Sequence, residues 1–135
     1  MRRAAAFLAL FTATSPAFAQ DAGPLTVELN AAVEGSDGCT LSFLITNGGE
    51  ADIGKAVFET VLFDTEGQVE RLTLFDFGEL PAGRPRVRQF TLSDTTCSGL
   101  SRLLVNGVTT CEAPIEGACT EGLRLTSRTD IEIIG

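Results

Sequence analysis

Cys39-Thr40-Leu41-Ser42-Phe43-Leu44-Ile45-Thr46-Asn47 is the stretch that decides how the chain is read. Cys39, Leu41, Phe43 and Ile45 fall on one parity, and Thr40, Ser42 and Thr46 fall on the other, where Leu44 is the exception. Alternate side chains of a strand point to opposite faces. The stretch therefore reads as a half-buried strand with a thiol at one end of its buried row. The rest of the chain reads as further strands that cover that row.

Working outward, Leu25, Val27, Leu29, Ala31 and Val33 share a parity against Thr26, Glu28 and Asn30. This predicts one strand over 24–33, with Pro24 at the first position, where a missing donor does no harm. Residues 34–38 are a turn by composition. Downstream, Asn47 to Gly54 is a glycine-containing connection, and 55–64 is a third strand with apolar residues on both parities. Phe58 and Leu62 are assigned to the core, because Glu59 lies on the other side. Asp64-Thr65-Glu66-Gly67 is a tight turn, with Asp first and Gly fourth, so the second arm of a hairpin follows over 68–77.

A loop over 78–83 leads to a fifth strand, 84–92, in which Arg84, Arg86 and Arg88 share the parity of Phe90 and Leu92. Three unpaired arginines do not share a dry face with phenylalanine. Either a bulge near Gln89 shifts the phase, or the first half of this strand is solvated. Ser98 to Val108 is a sixth strand, and Leu123 to Ile134 is one long strand or two short ones. No window after residue 19 sustains a 3.6-residue apolar period. About seven short strands separated by turns predict an all-β fold, an immunoglobulin-like antiparallel β-sandwich.

The first nineteen residues stand apart. Met1-Arg2-Arg3 is a basic start, Ala4 to Ala13 is apolar, and Ala17-Phe18-Ala19 presents small residues at a cleavage position. This is the signal-peptide pattern, with cleavage expected after Ala19. The apolar run falls short of the roughly 20 residues that spanning a bilayer needs, so no membrane insertion is expected after cleavage. Arg2-Arg3 is compatible with either a general or a twin-arginine export route. Residues 20–135 then form a single domain. Loss of Arg2 and Arg3 takes the net charge from −8 to −10. An acidic chain of this kind disfavours nucleic acid and anionic membrane surfaces as partners.

The four cysteines, Cys39, Cys97, Cys111 and Cys119, lie in the exported part. An even set in a small exported domain reads as two disulfides. Of the three possible pairings we favour Cys111 with Cys119, because the short proline-containing segment between them can close on itself; this leaves Cys39 with Cys97. Closing the long loop stabilises by about 4 kcal/mol and closing the short one by nearer ~3 kcal/mol in the chain-entropy account. The sequence has no histidine and no C-x-x-C pair, which disfavours zinc.

Asn47-Gly48-Gly49, the strand end Phe75-Asp76, and Leu80-Pro81-Ala82-Gly83 before a strand ending Phe90-Thr91-Leu92 together resemble bacterial exported immunoglobulin-like domains of the CARDB and FxLYD type. The likeness covers about residues 39–92 and implies a sandwich fold and an interaction role. It carries over no catalytic residue, and the four cysteines depart from it. The chain also resembles small exported proteins of proteobacteria.

With no histidine, a Ser–His or Cys–His dyad cannot be assembled, and no glycine-rich phosphate loop is present. The acidic turns, Asp64 with Glu66, Glu50 with Asp52, and Asp37, can supply oxygen ligands to calcium if they cluster at one end of the sandwich. Arg84, Arg86 and Arg88 can grip an acidic partner, or guard an exposed strand edge while pairing with Glu59, Glu70 or Asp76. The sequence thus predicts a non-enzymatic, cofactor-free protein of the periplasm or the exterior. Its expected role is an interaction or accessory module that contacts another envelope protein through a sheet edge or face. The surfaces in view are the outer parity of 57–63 and the arginine strand; the alternative is a periplasmic ligand or calcium carrier. Intact-mass analysis of exported protein should give a chain starting at Gln20 with no alkylatable thiol. Retained residues 1–19, or any free cysteine, would contradict the reading.

Overall fold

The computed structural model describes residues 24–135, so the expected leader and its cleavage position lie outside the described residues. Eight strands run in order: β1 (Leu25–Gly35), β2 (Gly38–Asn47), β3 (Ile53–Asp64), β4 (Val69–Leu80), β5 (Arg86–Ser93), β6 (Leu100–Glu112), β7 (Arg124–Ser127) and β8 (Glu132–Ile134). One 3-10 turn, Cys97–Gly99, precedes β6. The strands form two four-stranded sheets, β5-β2-β1-β7 and β4-β3-β6-β8, which enclose the core between them. The sandwich, the two disulfides and their pairing are as the sequence predicts: Cys39–Cys97 and Cys111–Cys119.

β2 behaves as its alternation requires. Cys39, Leu41, Phe43 and Ile45 are all buried. In β3, Phe58 and Leu62 are in the core, as assigned, and Val57 and Val61 on the opposite parity are also nearly covered, at 7% and 9% exposed. Side chains of the flanking strands β4 and β6 shield them from either side.

Three features correct or complete the sequence reading. The first concerns β1. Its register with β2 shifts between Leu29 and Ala31, so Asn30 is an extra residue. The side-chain period of a strand is two, so one inserted residue exchanges the faces beyond it. Ala31 and Val33 therefore turn outward, Val33 being 59% exposed, and Ala32 packs against the core instead. The second settles an alternative left open for the tail, which forms two short strands rather than one long one, one per sheet, giving eight strands where about seven were expected. Both pair in parallel: β7 with β1 and β8 with β6. The corner between them is set by hydroxyls: the Thr129 N–H donates to Ser127 Oγ (3.1 Å) and the Ile131 N–H to Thr129 Oγ1 (3.0 Å).

The third concerns the arginine strand. β5 pairs with β2 from Ser93 to Arg86 without a shift, so no bulge lies near Gln89. Arg88 keeps the core-facing parity of Phe90 and Leu92, but it stands at the sandwich's open side, where β5 faces β4. Its Nε donates to the carbonyl of Phe77 (2.8 Å) and its terminal nitrogen to that of Glu79 (3.1 Å). Gly78, at φ +64°, lies between these carbonyls, and the β3–β4 register shifts there. At the other end of the same seam, Arg71 of β4 donates to the carbonyl of Ser93 (2.7 Å) and to Thr95 Oγ1 (3.0 Å). Two guanidinium groups thus stitch the edge strands of opposite sheets through backbone carbonyls. Arg88 finds its partners there rather than in the expected carboxylates, and Arg84 and Arg86 form no ion pair among the described residues.

The turns quoted for the family resemblance also have a mechanical role. Asn47 is 3% exposed. Its Nδ2 donates to the carbonyls of Leu80 and Ala51 (2.9 Å each), its Oδ1 accepts from the Gly49 N–H, and its own carbonyl accepts from the Gly83 N–H (2.8 Å). One side chain therefore locks the β2–β3 and β4–β5 connections together. Removing a partner from buried polar groups costs about 1–3 kcal/mol, so Asn47→Ala should lower unfolding free energy by that order. Arg88→Ala should cost about 1–2 kcal/mol, since hydrogen bonds to charged donors are stronger than average, and Arg86→Ala should be within ~0.5 kcal/mol of the parent. Urea unfolding of the three variants measures this; equal effects for Arg86 and Arg88 would contradict the seam.

Candidate functional site

Among the described residues, the best-enclosed interior space is far below ligand size. The space between the sheets beside Thr60, lined by Phe43, Phe58, Phe75 and Phe77, amounts to about 10 Å³. That is near the volume one water requires and far below the few hundred Å³ of a small-molecule site. The Thr60 hydroxyl, buried in this apolar setting, has no hydrogen-bond partner among the described residues. Binding capacity therefore has to be sought on the surface.

The acidic turns do not converge. β1 and β2 meet at the same end as β3 and β4, so Asp37, Asp64 and Glu66 are at one end of the sandwich. Glu50 and Asp52 lie in the β2–β3 connection at the other end. Two of these five carboxylates are also engaged by backbone N–H groups. Asp64 Oδ1 accepts from the N–H groups of Glu66 and Gln68 (2.9 Å each), and Asp52 Oδ1 accepts from the Ala82 N–H (2.8 Å). Among the described residues, no three His, Cys, Asp or Glu side chains are grouped to hold a metal ion.

The arginines separate in the same way. Arg88 is engaged in the seam, Arg86 donates to the carbonyl of its neighbour Pro85 (3.0 Å), and Arg84 is exposed on the β4–β5 connection. They do not present one guanidinium row to solvent.

The outer face of the β4-β3-β6-β8 sheet is different. Val61 of β3 is in register with Leu72 of β4 on one side and Leu104 of β6 on the other, and Leu104 is in register with Ile134 of β8. Partners in register share a face, so an apolar rung crosses all four strands. Leu72 and Leu74 are each 54% exposed, and Val69, in register with Phe63, is 62% exposed. Charged pairs border the rung: Arg102 with Glu132 (2.7 Å) on one side, Lys55 with Asp76 (3.7 Å) on the other. Glu59, held by Asn106, lies between the rung and the second pair.

The sequence pointed to residues 57–63 of this face but missed Leu72, Leu74, Leu104 and Ile134. Leu72 and Leu74 carry a signal that could have found them. They share a parity opposite to that of Phe75 and Phe77, so the fourth strand is apolar on both sides in succession. Leu104 and Ile134 carry a similar signal, each standing beside a core residue of opposite parity, Leu103 or Ile133, but their alignment in one rung depends on register.

No family model matches the chain, and comparison with curated proteins and with solved structures found no match. The arrangement of side chains is what bears on function. With Asp64 acting as a turn acceptor, Asp64→Ala should lower stability by about 1 kcal/mol, to the same extent in calcium and in chelator. A loss confined to calcium-containing buffer would instead make the turn an ion site.

Proposed function

We propose that this protein is a non-enzymatic interaction module of the bacterial cell envelope, exported to the periplasm or beyond, that docks another envelope protein on the outer face of its β4-β3-β6-β8 sheet. The observation that carries this reading is the apolar rung Leu72–Val61–Leu104–Ile134, bordered by charged pairs. A contiguous apolar strip with a polar rim is the composition of a protein-contact surface. The two disulfides fit an oxidising compartment. The kinship with exported CARDB- and FxLYD-type domains belongs to the same proposal; in this chain its signature residues perform the Asn47 turn lock, which concerns folding rather than recognition.

Burying the two half-exposed leucines on a partner contributes about 1–2 kcal/mol each, enough to make them the anchors of a modest interface. A photocrosslinking side chain installed at Leu72 in cells should trap one defined envelope protein, and Leu104→Asp should abolish the adduct while leaving the thermal midpoint of the purified protein within a few degrees. The same probe at Thr91, on the opposite sheet's outer face, should trap nothing. Equal trapping at both positions, or none at Leu72, would refute the assignment of this face.

A further inference from the structure

Sheet β5-β2-β1-β7 has an incomplete fourth strand. β1 spans Leu25–Gly35, but β7 pairs with it only over Thr26–Leu29. The last ladder bond runs from the Arg128 N–H to the Leu29 carbonyl (2.9 Å), after which the chain leaves for the other sheet. The bulge at Asn30 coincides with that departure. Beyond it, β1 pairs with β2 on one side and, among the described residues, has no strand on the other.

The exposed groups on that edge can be assigned from register. Gly35 pairs with Gly38 across the hairpin, and hydrogen-bonded and non-hydrogen-bonded pairs alternate along an antiparallel ladder. The N–H and C=O groups of Ala32 and Glu34 therefore point away from β2. Neither residue's backbone finds another partner among the described residues. The edge is also recessed. Its first part, Asn30–Ala32, forms one wall of a groove of about 660 Å³, whose other walls are the 3-10 turn at Cys97 and Ser98 with Leu100, and the corner Arg128–Ile131; farther along, the Glu34 carboxylate accepts from the Ser98 N–H (3.3 Å). The side chains of Arg128 and Asp130 at its rim form no ion pair among the described residues.

We propose that this recessed edge binds a free extended segment of another polypeptide by strand addition, along the half of β7's track that β7 does not cover. Unpaired donors and acceptors on a strand edge are a template for a further strand. The walls decide which kind: a single extended segment fits between them, whereas the edge of a second folded domain or a second copy is held off by the 3-10 turn and the corner. The uncovered length, Asn30 to Gly35, accommodates about five or six residues at roughly 3.3 Å each, the part beside Asn30–Ala32 lying inside the groove. Ala31 and Ala32 leave room for side chains of the incoming segment, while Arg128 and Asp130 suit polar ones at the rim. The other uncovered edge, β6 beyond Leu104, is a poorer template, because bulges at Asn106 and Thr109 interrupt it.

The test uses the mature chain, isotope-labelled, and a blocked hexapeptide, acetyl-Ser-Val-Thr-Val-Asp-Ser-amide. Binding should shift the amide resonances of residues 31–35 and 128–130 and slow exchange at Ala32 and Glu34. A version with proline at both valine positions should fail to bind, since it lacks the donors. Ala32→Pro, which removes an edge donor and leaves the β2 ladder intact, and Ser98→Arg, which fills the groove from the far wall, should each weaken binding at least tenfold. Using two variants separates loss of the site from misfolding. Leu104→Asp should leave peptide binding unchanged, so this result is independent of the docking face proposed above. Absence of shifts at millimolar peptide, shifts confined to other residues, or unchanged affinity in Ser98→Arg would overturn the proposal. Concentration-dependent pairing of the chain with itself through residues 31–35 would also overturn it, by assigning the edge to a second copy.

Discussion

Phe43 is the contact through which the two layers are held face to face. It projects from β2 and its ring lies 5.2 Å from Phe75, 5.4 Å from Phe77 and 6.0 Å from Phe90. Phe75 and Phe77 belong to the opposite sheet, so this cluster joins the layers, and Phe58 extends it into β3. Truncating a buried phenylalanine costs about 3–5 kcal/mol, several times a single seam or turn interaction. The layers are therefore held first by apolar burial and only then adjusted by polar bonds. Cys39, at the end of the same buried row, adds a covalent tie to the 3-10 turn that leads into the second sheet.

With the layers fixed, the open sides of the sandwich are managed in different ways. On the β4–β5 side, Arg88 and Arg71 saturate carbonyls of the facing strand, so that edge is closed by side chains. On the far side, two short parallel strands each cover part of a longer neighbour. Short edge strands and bulges limit unwanted pairing, and where cover is absent the backbone remains a potential partner for an extended chain. The asymmetry between a stitched side and a half-covered side leads to two proposed contact regions, the apolar outer sheet face and the recessed β1 edge. They do not overlap, which allows one small domain to contact two partners or two parts of one.

Charge takes a secondary part in this arrangement. Several acidic side chains accept from backbone N–H groups, as at Asp64, Asp52 and Asp76, or belong to exposed pairs. Exposed pairs contribute at most about 1 kcal/mol each. The excess of negative charge acts mainly on solubility and on the choice of partners, which are expected to be neutral or basic where they meet the body of the domain.

Much of the architecture was legible in the residues alone. The alternation of β2, the core positions Phe58 and Leu62, the hairpin at Asp64–Gly67 and the pairing of the cysteines all follow from local rules: a period of two, turn chemistry and loop length. Tertiary structure decided the rest. The bulge at Asn30 cannot be read from 25–33, because that row alternates without a break, and only the register with β2 shows where a residue is left over. Arg88 could not be placed, because its partners are main-chain carbonyls of a strand remote in sequence, which have no residue-specific signature. The apolar rung draws one residue from each of four strands, and the division of the tail depends on which sheet each half reaches. Alternation assigns a side chain to a face as long as the ladder is unbroken; which strands lie beside it, and what covers that face, are properties of the assembled sheets.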